Sequence, residues 1–129
     1  IKTEVKFGKN TRFDFLVSKK NFKAFIEVKN VTLSRSEGIA EFPDAITARG
    51  AKHLDELMKA SKQGYKIYIA YIIQRNDCKK FIIADDIDPE YSELLSKAIK
   101  EKLNILCYDC KFSQKGIKLN NKKKILFNG

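Results

Sequence analysis

A single histidine and three cysteines among 129 residues leave little from which to build a structural zinc site. Cys107-Tyr108-Asp109-Cys110 has CxxC spacing, but no second such pair exists and His53 is the only imidazole, so no zinc is expected. The odd cysteine count, without a framework of spacings, speaks against a disulfide-stapled secreted scaffold. It fits a reducing compartment in which Cys acts as a small buried hydrophobe. No run approaches the roughly 18 to 20 apolar residues that span a bilayer, and no basic start followed by an apolar stretch marks a signal peptide. A cytoplasmic protein with no membrane partner is expected. Internal repeats and low-complexity linkers are also lacking, which leaves residues 1–129 as one expected domain, long enough to bury a core without staples. The chain begins at Ile1 rather than Met, as expected of a piece of a longer protein.

Acidic residues are in deficit. Lys and Arg number 26 against 16 Asp and Glu, a formal charge of +10 that favours a polyanionic partner, DNA above all, over an acidic small molecule. Nothing calls for a small-molecule cofactor, and oligomeric state is left open, a homo-oligomer included.

The first third of the chain reads as β-structure. Lys2 to Phe7 supplies a strand, Gly8-Lys9-Asn10 a turn, and Thr11 to Ser18 a strand with Phe13, Phe15 and Val17 on one face and Arg12, Asp14 and Leu16 on the other. After a polar turn at Lys19 to Asn21, Phe22 to Leu33 reads as one long strand with Glu27 and Lys29 on the same side. Helical spacing then runs from Asp44 to Gln63, with Ile46, Gly50, Leu54, Leu57 and Met58 as its apolar stripe and Gly64 as a stop. Tyr65 to Ile73 is nearly all apolar, as in a central strand buried on both faces. Asp88-Pro89-Glu90 opens a second helix, and Leu103 to Phe112 reads as the closing strand, followed by a solvated tail carrying Lys122, Lys123 and Lys124. The order implies an α/β protein, a mixed sheet with helices packed against it.

Asp14 on one strand and Glu27-Val28-Lys29 on the next give the pattern D, then ExK. Two neighbouring carboxylates and the Val28 carbonyl are oxygen ligands suited to Mg²⁺ or Mn²⁺. Lys29, on the same face as Glu27, can act on a water or on the charge that builds on a phosphate. ExK alone is a weak signal, since Glu4-Val5-Lys6 matches it too and such pairs are usually solvated charge ladders. The apolar neighbours Phe25, Ile26, Val28 and Val31 set Glu27 apart, because a carboxylate placed among them is costly to leave unpaired.

The segments Phe7-Gly8-Lys9-Asn10-Thr11-Arg12-Phe13-Asp14-Phe15-Leu16, Glu27-Val28-Lys29-Asn30-Val31-Thr32-Leu33 and Phe42-Pro43-Asp44-Ala45 stand in this order. Thr47, Arg49-Gly50, Lys52-His53-Leu54, Gln74-Arg75-Asn76-Asp77 and Asp88-Pro89-Glu90-Tyr91 continue the series. Together they resemble the signature segments of the sugar fermentation stimulation protein (SfsA) family over nearly the whole chain. The resemblance implies a restriction-endonuclease-like fold, DNA binding and a PD-(D/E)xK-type metal site with Asp14, Glu27 and Lys29 as catalytic residues. It also implies a small OB-like domain, N-terminal in the family, that this chain does not include. The resemblance leaves cleavage itself open: the family is known more as DNA-binding and regulatory, and a charge network that is purely structural is the alternative.

Arg49, His53 and Glu56 form a stripe beside the apolar face of the first helix. Arg49 and Arg12 are candidates for phosphate contacts and His53 for a hydrogen bond to a carboxylate or water of the site. Arg75, in the segment after the buried strand, is a further phosphate-binding candidate, although residues there also commonly cap turns.

Overall fold

The computed structural model describes residues 1–113 and 116–126. Ten strands and two helices follow one another among these residues. Strands β1 (Lys2–Phe7), β2 (Thr11–Lys19) and β3 (Phe22–Val31) form an antiparallel meander. Strand β6 (Lys66–Ile73) lies parallel to β3, strand β8 (Leu103–Ser113) parallel to β6, and strand β9 (Gly116–Lys122) antiparallel on its far side. The result is a mixed six-stranded sheet of order β1-β2-β3-β6-β8-β9. A second sheet of order β10-β7-β5-β4 is made of β4 (Leu33–Ser36), β5 (Ile39–Phe42), β7 (Lys80–Ile83) and β10 (Lys124–Leu126). Helices α1 (Ala48–Lys62) and α2 (Pro89–Lys100) pack on each other and on the large sheet, a restriction-endonuclease-like arrangement.

Four expectations need correction. The long strand ends at Val31, not Leu33: Gln74 N–H takes the Val31 carbonyl, and Leu33 pairs instead with Glu41 in the second sheet. Helix α1 starts at Ala48 rather than Asp44, because Thr47 is the residue whose hydroxyl accepts from Gly50 N–H. Ile46 therefore falls outside the helix and is 79% exposed instead of joining the apolar stripe. The strand from Leu103 does not close the fold, since β9 and β10 follow it. Nor is Lys122–Lys124 a free tail: the chain crosses from one sheet to the other at Lys123, whose ammonium meets Asp109 at 3.0 Å with both side chains largely buried.

The core lies between the large sheet and the helices. Phe13, Phe25, Phe7 and Tyr65 stack at one end, and Tyr71, Phe81, Phe42 and Tyr91 at the other, where the Tyr71 and Tyr91 hydroxyls share a buried hydrogen bond. The two helix starts are tied together. Asp88 caps α2 by accepting from Tyr91 N–H through Oδ1, and its Oδ2 accepts from Thr47 N–H at the start of α1. Gly50 allows this approach, because a Cβ there would stand 2.8 Å from the Thr47 side chain and 3.1 Å from the Tyr91 ring. All three cysteines are buried as free thiols, and burial pushes Cys107 up to about 12, far from the thiolate form that binds metals.

Candidate metal and nucleic-acid site

Backbone pairing between β2 and β3 stops at Phe15↔Ile26, and the chemistry gathers where the strands part. Continuation of the register would set Asp14 opposite Glu27. Instead, Val28 N–H turns to the Asp14 side chain and donates to Oδ2 at 2.7 Å. A strand residue presents its N–H and C=O on the same edge, so the Val28 carbonyl faces the same gap as Asp14. Glu27 and Lys29, two apart on β3, project to one face, where α1 lays His53 over them.

His53 Nδ1 is 2.9 Å from Lys29 Nζ and equally 2.9 Å from Glu27 Oε2. An ammonium has hydrogens only to donate, so the Lys29 contact requires Nδ1 to accept, with the ring hydrogen on Nε2. Nδ1 then has no hydrogen for Glu27, and Oε2 is buried without a hydrogen-bond partner among the described residues. Two lone-pair atoms thus face each other across 2.9 Å. A proton or a cation is needed to settle them.

The electrostatics follow from this crowding. Burial raises the Glu27 carboxyl above its ordinary range, a hydrogen bond from His53 works against the rise only when Nδ1 carries a proton, and the nearby Asp14 adds to it. Asp14 goes the other way. Burial pushes it up, but the neighbouring Glu27 carboxyl, which donates to it when protonated, the Val28 N–H and the charge of Lys29 outweigh that and hold it below the ordinary value. Burial lowers the Lys29 ammonium, with Glu27 opposing and Arg49 reinforcing the shift.

No group of three or more His, Cys, Asp or Glu side chains converges among the described residues. A cation at this point would rest on Asp14, Glu27, the Val28 carbonyl and water. That donor set fits Mg²⁺, which commonly keeps several waters and takes only one or two protein carboxylates. The buried, unpartnered Glu27 oxygen fits it as well.

Of the phosphate candidates, Arg12 and Arg49 are exposed and line one cleft together with His53. Arg75 stands apart from it. Its guanidinium is held by both oxygens of Asp77, at 2.9 and 2.6 Å, and by the Thr32 carbonyl at 3.2 Å. Glu56, though on the His53 stripe, pairs with Lys59 and lies near Gly8. Sequence reading missed Lys6, Lys9 and Thr11 as cleft residues, because only the closure of the β1–β2 turn against α1 brings them beside His53.

A family model described as "Sugar fermentation stimulation protein RE domain" matches residues 1–116. The chain belongs to the SfsA family. It is 53% identical over 126 residues to the sugar fermentation stimulation protein homolog of Pelagibacter ubique, covering 98% of this chain and 54% of that protein. The homolog of Roseobacter denitrificans is 44% identical over 120 residues, with 92% and 51% covered. The chain thus spans about half the length of these curated SfsA relatives. Among solved structures it is similar to that of Pyrococcus furiosus SfsA in complex with Ca²⁺, with a TM-score of 0.87 and 28% identity, covering 98% of this chain and 54% of the other.

Proposed function

We propose that this SfsA domain binds DNA and holds Mg²⁺ or Mn²⁺ at Asp14, Glu27 and the Val28 carbonyl, forming a PD-(D/E)xK-type site for phosphodiester hydrolysis. The observation that carries this reading is the buried Glu27 Oε2 left without a partner where two carboxylates, a strand carbonyl and a lysine meet. Lewis-acid activation of a phosphate and of an attacking water is the chemistry such an ion supplies when bound. Lys29 holds a proton at Nζ beside the place a phosphate would occupy, and His53 fixes that ammonium in position. Arg12 and Arg49 supply positive charge at the approach, and Arg75 would need to leave Asp77 to join them. The complex of Pyrococcus furiosus SfsA with Ca²⁺ supports the metal, since Ca²⁺ and Mg²⁺ both take oxygen ligands.

The first test is DNA affinity. With a net charge of +10, mobility shifts should weaken steeply as salt rises, by about 0.9 in log-log slope for each phosphate neutralised. Affinity that does not respond to salt would remove DNA as the partner.

The second test is thermal and carries a sign. Folding raises the Glu27 pKa, so the folded state binds this proton more tightly than the unfolded chain, and stability falls as pH rises from the ordinary 4.5 through the raised value. Asp14 contributes oppositely: its share is present above 3.8 and is lost as pH falls through its lowered value. Mg²⁺ or Mn²⁺ should therefore raise the melting temperature most on the alkaline side of the Glu27 window. At a hundredfold excess over Kd the gain is about 2.7 kcal/mol. Asp14→Asn should remove the shift, and a variant that keeps all of it would place the ion elsewhere.

A regulatory, non-cleaving DNA-binding domain is the second reading. It is favoured by the partners that Asp14 and Lys29 already have within the protein, Val28 N–H for the first and His53 Nδ1 for the second.

A further inference from the structure

Beside the carboxylates lies a cleft of about 610 Å³, walled by the β1–β2 turn on one side and the first turns of α1 on the other. Lys6, Lys9, Arg12, Arg49 and Lys52 line it, and no Asp or Glu does. Surface cations alone do not make a site, since long charged side chains are well solvated. The lining also includes Thr11, only 3% exposed, whose Oγ1 is buried with no hydrogen-bond partner among the described residues. A buried hydroxyl left unmet is costly, because it has given up its water without replacing it. Packing gives no reason for it, because valine has the same shape.

The walls are fixed. Gly8, at a φ of +66°, turns the chain, and Lys52 Nζ donates to the Asn10 carbonyl at 2.9 Å, bracing the turn against α1. Ala48, the first residue of α1, also lines the cleft, so the positive end of the helix dipole adds to the charge there. His53 belongs to both places, as a wall of the cleft and a neighbour of Glu27, which makes cleft and carboxylate cluster continuous.

We propose that this cleft is a phosphate subsite in which Thr11 Oγ1 and the surrounding cations hold a phosphate group next to the one that reaches Asp14 and Glu27. The proposal rests on the DNA-binding reading for the source of that phosphate, a backbone phosphate of bound DNA. The phosphate chemistry is testable without it.

The experiment has two arms, both in EDTA so that the carboxylate site takes no part. Melting is followed with and without inorganic phosphate, and DNA affinity is measured across a salt series. The proteins are the parent, Thr11→Val, Thr11→Ser, the pair Lys6→Gln with Lys9→Gln, and a distal control pair, Lys19→Gln with Lys20→Gln, at the exposed β2–β3 turn. Phosphate should raise the parent's melting temperature. Thr11→Val should lose that shift and bind DNA about tenfold more weakly, the worth of a hydrogen bond to a charged group. Thr11→Ser, which keeps the hydroxyl, should retain both. The Lys6/Lys9 pair should lower the salt slope by about 2, and the distal pair much less. Equal responses of parent and Thr11→Val overturn the subsite, and so does a distal pair as damaging as the cleft pair. If phosphate stabilises the parent through Thr11 but DNA does not bind, the subsite stands with a small phosphorylated ligand, and the DNA-binding reading fails instead.

Discussion

Glu27→Gln is expected to abolish Mg²⁺- or Mn²⁺-dependent cleavage of plasmid or oligonucleotide DNA while leaving DNA affinity unchanged or higher. The amide keeps the shape of the side chain but removes the negative charge needed to hold the cation, along with a charge that repels phosphate. Turned with its N–H toward His53, the amide can share the Nδ1 lone pair with Lys29, whereas the carboxylate 2.9 Å away meets it lone pair to lone pair unless protonated. The variant should thus melt at least as high as the parent in EDTA. Lys29→Ala separates a second role. It should keep most of the metal-induced melting shift yet lose cleavage on the order of 10³-fold, since a charge positioned against the developing phosphate charge is worth about that much. If parent, Glu27→Gln and Lys29→Ala all cut equally, the activity is a contaminant or the site is misplaced. If all three bind DNA and none cuts, the regulatory reading is the correct one.

Lys123→Ala should be the most destabilising single change at the C-terminal end of the chain. Removing this ammonium strands Asp109, whose side chain is only 5% exposed, and breaking a buried pair from one side costs about 3–5 kcal/mol. Asn121 N–H still donates to Asp109 Oδ1 at 2.8 Å, which sets the expectation at the lower end of that range. Lys122→Ala, one residue earlier and exposed, should stay within about 0.5 kcal/mol of the parent. Urea unfolding of the two variants side by side measures the difference. Equal midpoints would mean that the Lys123 pair contributes nothing.

The contrast between these neighbouring lysines shows where sequence reading succeeds and where it stops. That Glu27 and Lys29 share a face was legible because strand alternation is local, and their apolar neighbours mark the strand as buried. The caps of α2 were legible for the same reason, with Asp88 and Pro89 in place at its start. The second sheet was not. Strands β4, β5 and β7 have four residues each, too few for a period to show, and β5 finds β7 only across the stretch that holds α1 and β6. The start of α1 was misread because Ile46 sits at helical spacing from Gly50, while the boundary is set by the Thr47 hydroxyl on Gly50 N–H and braced by Asp88, forty-one residues beyond Thr47. A run of lysines looks like a tail until a buried carboxylate on another strand claims one of them.

The tie between Asp88 and Thr47 bears on how a library of random variants of this domain would sort. His53 and Arg49 ride on the first turns of α1, and the height at which that helix begins is decided by a carboxylate belonging to α2 and by the bare backbone of Gly50. A selection for loss of the proposed cleavage would therefore return lesions at Asp88 and Gly50 alongside those at Glu27 and Lys29. Clones of the first kind would regain function at reduced temperature, as misaligned parts do, and clones of the second kind would stay dead at every temperature.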